Sequence, residues 1–80
     1  MISVKVLGSG CANCAKLEST ATEAINQLGM DAQVEKVTDY ADIMRYNVLV
    51  TPALVINEQV VSAGRQPSTA EITTWLADAA

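Results

Sequence analysis

From Ile2 to Leu7 apolar and polar residues alternate, with Ile2, Val4 and Val6 set against Ser3 and Lys5. That is the period of a strand, and Gly8-Ser9-Gly10 breaks it off. Beyond the break the spacing changes to three and four. Cys14, Leu17, Ala21, Ala24, Ile25 and Leu28 form one stripe of a helix of about four turns, and Gly29 stops it. Asp31 to Val37 returns to extended chain. Thr38-Asp39 caps a short helix through Tyr40, Ile43 and Met44, and Asn47 suits the left-handed residue that ends it. Val48 to Val50 lead into Pro52. Ala53-Leu54-Val55-Ile56 and Gln59-Val60-Val61-Ser62, joined by Asn57-Glu58, predict a hairpin on weaker turn chemistry than Asn-Gly. Ser68-Thr69-Ala70-Glu71 fits a capping box, and Ile72, Trp75, Leu76 and Ala79 repeat at i, i+3, i+4 and i+7 to predict a last amphipathic helix.

The predicted order is βαβαββα, an α/β fold of one domain over residues 1–80. Its four-stranded mixed sheet pairs the first two strands in parallel, closes on the hairpin and is packed by three helices. Tyr40, Tyr46 and Trp75 fall on helical apolar faces and are expected in the core, and Met30 and Met44 read as packing.

Composition narrows the function. Half of the 80 residues are apolar, and five Lys plus Arg against nine Asp plus Glu leave a charge of −4. Such a balance offers no footprint for phosphates, so nucleic acid is excluded as a partner. The chain has no His, which removes imidazole acid–base chemistry and every histidine zinc site. Val48 to Ile56 is the most apolar stretch, yet Thr51 and Pro52 interrupt it and it falls far short of the ~20 residues of a spanning helix, so no membrane partner is expected. Lys5 within the alternating start is unlike a secretory leader, and the cytoplasm is the expected location.

Candidate chemistry then rests on the two cysteines, which form one C-x-x-C, Cys11-Ala12-Asn13-Cys14, where the first strand hands over to the first helix. Cys14 continues the apolar stripe toward the core, whereas Cys11 falls at the helix start, where exposed N–H groups and the helix dipole stabilise a thiolate. Ala12 and Asn13 are the residues that tune such a pair. A structural staple is the plain alternative, but closing a four-residue loop removes only about 2 kcal/mol of unfolded-state entropy, against about 3 for fifteen residues. A soft ion such as Cu(I), or half of an all-cysteine zinc site shared between two chains, is the other. The balance favours redox chemistry with no cofactor and no bound metal, and both alternatives stay open.

These residues resemble the thioredoxin superfamily, in particular its small, glutaredoxin-sized redox-active disulfide proteins. The resemblance spans nearly the whole chain. Cys11 and Cys14 take the place of the active-site dithiol, and Val50-Thr51-Pro52-Ala53 looks like the segment that carries a cis-proline facing it. Gly64 matches a glycine that leaves room for a partner's backbone. The resemblance implies a thioredoxin-like fold and a thiol–disulfide oxidoreductase. Cys11 and Cys14 would be catalytic, with Thr51, Pro52 and Gly64 binding the substrate. It further implies protein disulfide substrates and an upstream thiol reductant or reductase, and the chain is expected to act as a monomer. Lys5 stands where thioredoxin proper keeps a buried acid, and it would serve as a base for Cys14 if burial lowered its pKa, or else snorkel to solvent. Gly8-Ser9-Gly10-Cys11-Ala12-Asn13-Cys14 is also similar to the loop of copper chaperones, whose βαββαβ order ends in a strand.

Overall fold

A computed structural model of the chain describes residues 2–8 and 12–79. The elements are β1 (Ile2–Leu7), α1 (Ala12–Leu28), β2 (Ala32–Val37), α2 (Tyr40–Met44), β3 (Ala53–Ile56), β4 (Gln59–Ala63) and α3 (Thr69–Ala79). The sheet runs β2-β1-β3-β4, with β1 and β2 parallel and the other neighbours antiparallel. This is the predicted order, with the predicted parallel pair and hairpin. The copper-chaperone order does not fit, because a helix, α2, follows β2 where that order has a strand.

Period-two alternation divides β1 and β3 between two cores. Ile2, Val4, Val6, Leu54 and Ile56 face α1 and α3, where Leu17, Ala21, Ala24, Ile25, Ile72 and Leu76 complete the larger cluster. Leu7, Ala53 and Val55 face the other way, onto Ile43 and Val48. Every residue of β3 is therefore buried, which is why Ala53 to Ile56 reads as an unbroken apolar run.

On the α2 side the cover is thin. A five-residue helix is less than one and a half turns and offers the sheet one inward position, taken by Ile43. This corrects the expectation for Tyr40 and Met44, which stand at the two ends of α2 and are 75% and 42% exposed. Leu28, at the last turn of α1, is likewise exposed. Tyr46 and Trp75 are half-buried, one against each cluster. The uncovered sheet face beyond α2 leaves an open cavity of about 530 Å³ whose lining includes Lys5, Glu35, Arg45 and Glu58.

The hairpin turn closes with both central residues left-handed, Asn57 at φ 49° and Glu58 at φ 69°. Side-chain contacts offset its weak turn chemistry. Asn57 Oδ1 accepts from the Ser3 amide at 3.1 Å, and the Asn57 amide donates to the Ser3 carbonyl at 2.8 Å. Glu58 Oε1 takes a 2.7 Å ion pair from Lys5.

At the start of α3 the capping box forms reciprocally. The Glu71 amide donates to Ser68 Oγ at 3.2 Å, and the Ser68 amide donates to Glu71 Oε1 at 3.1 Å. Arg65 adds a two-pronged contact to the same carboxylate, at 2.6 and 3.3 Å. Arg65 and then the Ser68 amide hold the Glu71 carboxyl down at about 2, below the usual carboxylate range. A depressed carboxylate stabilises the fold above its unfolded pKa, and that contribution is lost as pH falls through the folded value. The gap in unfolding temperature between the wild type and Glu71→Gln is therefore expected to be full above about pH 5 and to close toward about pH 2. Thermal unfolding across that range checks it; a gap independent of pH would reject the assignment.

Candidate functional site

The site is built where β1 ends. The Gly8 amide donates to the Val37 carbonyl at 3.0 Å, carrying the β1–β2 pairing one residue past the strand. Gly8 is buried, and a Cβ built on it would run into Cys14 Sγ, with Thr51 Cβ 3.8 Å away. Only a glycine lets the backbone come this close to the sulfur. Cys14, in the first turn of α1, is 7% exposed and disulfide-bonded. Cys11 lies outside the described residues, as do Ser9 and Gly10. Ala12 and Asn13, assigned to tuning, are exposed at the start of α1.

Thr51 reaches the same place from the other side. The Thr51–Pro52 peptide is cis, with Thr51 exposed and Pro52 buried. The Gly64 amide donates to the Pro52 carbonyl at 2.8 Å, so the β4–α3 loop runs beside the proline. Gly64 has φ 77°, and a Cβ there would come within 2.6 Å of Val50 Cγ2, so both backbone and space call for glycine. Cys14, Gly8, Thr51, Pro52 and Gly64 thus lie in one corner, with Cys14, Gly8 and Pro52 buried and Thr51 and Gly64 exposed, and Leu49 and Val50 beside it are 88% and 54% exposed.

Two contributors escaped the sequence reading. Gly8 was a strand breaker there, although a glycine directly after a strand and six residues before a buried cysteine is a signal for close backbone approach. Gln66 donates from Nε2 to the Asn13 carbonyl at 2.6 Å, joining the β4–α3 loop to α1, and a glutamine in a polar loop carries no such signal.

Of the two readings open for Lys5, base or snorkelling side chain, the structure takes the second. Its ammonium donates to Glu58 at 2.7 Å and to the Tyr46 hydroxyl at 3.0 Å, and that hydroxyl donates in turn to the other Glu58 oxygen at 2.9 Å. Glu58, then Tyr46, push the Lys5 pKa above its ordinary value, and Lys5 holds Glu58 below its own. A base must release its proton near neutral pH, whereas this pairing keeps Lys5 charged.

A mixed sheet carrying a buried, disulfide-bonded cysteine at the start of its first helix, opposite a proline segment and a loop glycine, defines a thioredoxin-like protein. Residues 2–77 match the family model described as a thioredoxin domain, and the chain belongs to that family. The thioredoxin of Methanothermobacter thermautotrophicus is 36% identical over 72 residues, 90% of this chain and 94% of that protein. That of Methanocaldococcus jannaschii is 35% identical over 72 residues, 90% of this chain and 83% of its own length. Among solved structures, the germline-specific thioredoxin Deadhead of Drosophila melanogaster has the same fold, with a TM-score of 0.67 at 20% identity over 99% of this chain and 81% of that one.

The contact at Gly8 yields a direct test. Gly8→Ala forces a methyl onto Cys14 Sγ and is expected to destabilise the protein by about 1–3 kcal/mol, the range for overpacking a filled site. Chemical denaturation measures it, and an unchanged midpoint would show that the backbone there has room to give.

Proposed function

We propose that this protein is a thiol–disulfide oxidoreductase acting on protein disulfides through the couple Cys11–Cys14. The observation that carries the reading is a disulfide-bonded Cys14 buried against Gly8 beside an exposed Thr51. A sulfur so placed is covered yet next to an open surface, which suits a resolving thiol better than a staple. Membership of the thioredoxin family supports the same chemistry.

In the reductive direction the Cys11 thiolate attacks one sulfur of a substrate disulfide. A mixed disulfide forms, and the displaced substrate thiolate takes up a proton. Cys14, losing its proton, attacks Cys11 Sγ. The intramolecular disulfide closes, the second substrate thiol leaves, and two electrons have passed from the dithiol to the substrate. An upstream thiol reductant or reductase returns the couple to the dithiol, so the role suits a reducing compartment such as the cytoplasm. Thr51, Pro52 and Gly64 form the docking surface, where an extended substrate segment pairs with exposed main chain in the manner of strand addition. The protein works as a monomer without a cofactor. Among the described residues no helix is long and apolar enough to cross a membrane.

The test is asymmetry between the two cysteines. Cys14→Ser keeps the attacking thiol and removes the resolving one, so incubation with a disulfide should accumulate a stable mixed disulfide, read by intact mass. Cys11→Ser should trap nothing at a comparable rate, because its remaining thiol is covered. Equal trapping by both variants would return the site to the staple and metal readings.

A further inference from the structure

Gln66 is placed with more precision than a loop residue needs. Arg65 before it is clamped to Glu71 and lies over the Trp75 ring at 5.8 Å, and Pro67 after it is buried. From this support the carboxamide reaches across to α1, where Nε2 donates to the Asn13 carbonyl at 2.6 Å. That contact with a carbonyl oxygen fixes which end of the side chain is nitrogen. The other end, Oε1, is buried with no hydrogen-bond partner among the described residues. A buried acceptor left unmade costs at least as much as one hydrogen bond returns, so the carboxamide adds little to the stability of the fold.

Its effect falls on one peptide group. The Asn13 carbonyl and the Cys14 amide belong to a single planar unit and point opposite ways along the helix axis. Holding the carbonyl therefore aims that N–H back toward the start of α1, and a donor on the carbonyl polarises the group, which strengthens the N–H as a donor. We propose that Gln66 is a positioning residue for the dithiol: by binding the Asn13 carbonyl it orients and polarises the Asn13–Cys14 peptide so that its N–H stabilises the thiolate of the C-x-x-C.

This rests on the C-x-x-C being the reactive pair, but its readout is ionisation and does not require exchange with any protein. The pH dependence of iodoacetamide alkylation is measured for Cys11 in three proteins: Cys14→Ser alone, with Gln66→Met, and with Gln66→Glu. Methionine keeps the length and removes the donor. The alkylation midpoint is expected to rise by about half a pH unit, about a threefold loss of thiolate below the midpoint. Glutamate removes the donor and adds a negative charge, so it should raise the midpoint further. With both cysteines present, each Gln66 variant should make the couple a stronger reductant against glutathione, because the thiolate form is less stabilised. Unfolding temperature separates this from a clasp that only holds the loop, which would lower the melting point and leave the midpoint in place. An unchanged or lowered midpoint in both variants overturns the proposal. Failure of the mixed-disulfide trapping alongside a raised midpoint would reject the exchange reading and leave the positioning role standing.

Discussion

The Cys14 sulfur lies on the backbone of Gly8, and there is no room between them for a Cβ. That contact fixes where α1 starts relative to β1, because Cys14 packs directly on the residue that follows the strand. The stripe from Leu17 to Ile25 then falls over Val4 and Val6, and α3 closes over the same cluster through Ile72 and Leu76. Thr51 enters the same corner from the opposite direction, so β3 is set against β1 at the point where the sulfur sits. The larger core and the corner that holds Cys14 are therefore two ends of one packing arrangement.

The two faces of the sheet are unequally covered, and the difference explains the polar network. Two full helices seal one face, while α2 supplies one buried side chain to the other. Lys5 sits on that thinner face, at a position where its stem is covered and its ammonium reaches the edge, in the snorkelling manner. Glu58 and Tyr46 meet it there and link β1 to the hairpin turn and to the chain after α2. The network thus substitutes for hydrophobic cover that so short a helix cannot give. It also ties down a turn with two left-handed non-glycine residues, since Glu58 is held there by its ion pair with Lys5.

Most of the architecture was legible because each element announces itself locally: β1 by alternation, α1 by its stripe, α3 by the Ser68–Glu71 box, and the burial of Cys14 by its place on that stripe. What failed did so for want of tertiary information. Tyr40 and Met44 carry the spacing of a buried face, but the pattern does not reveal that α2 is too short to bury its ends. Lys5 could be read as base or as snorkelling stem because its partners are 41 and 53 residues away. Gln66 acts through one long-range contact that no periodicity encodes, and the close approach at Gly8 shows in the pattern only as a break after the strand.

The charge distribution decides which part of the protein can tune the cysteines. Of the five cationic side chains, Lys5, Lys36, Arg45 and Arg65 are held in ion pairs with Glu58, Glu18, Asp42 and Glu71. Lys16, exposed in α1, forms no ion pair among the described residues, and the net charge of −4 disfavours an additional anion. The four paired cations therefore supply little positive field to the start of α1, which leaves Lys16 and the backbone. The oriented peptide groups of the first helical turn act strongly only close by, and their influence depends on where each N–H points. A contact that holds one of those peptide planes, as the Gln66 carboxamide holds that between Asn13 and Cys14, therefore sets the direction of one such N–H from a loop 53 residues away.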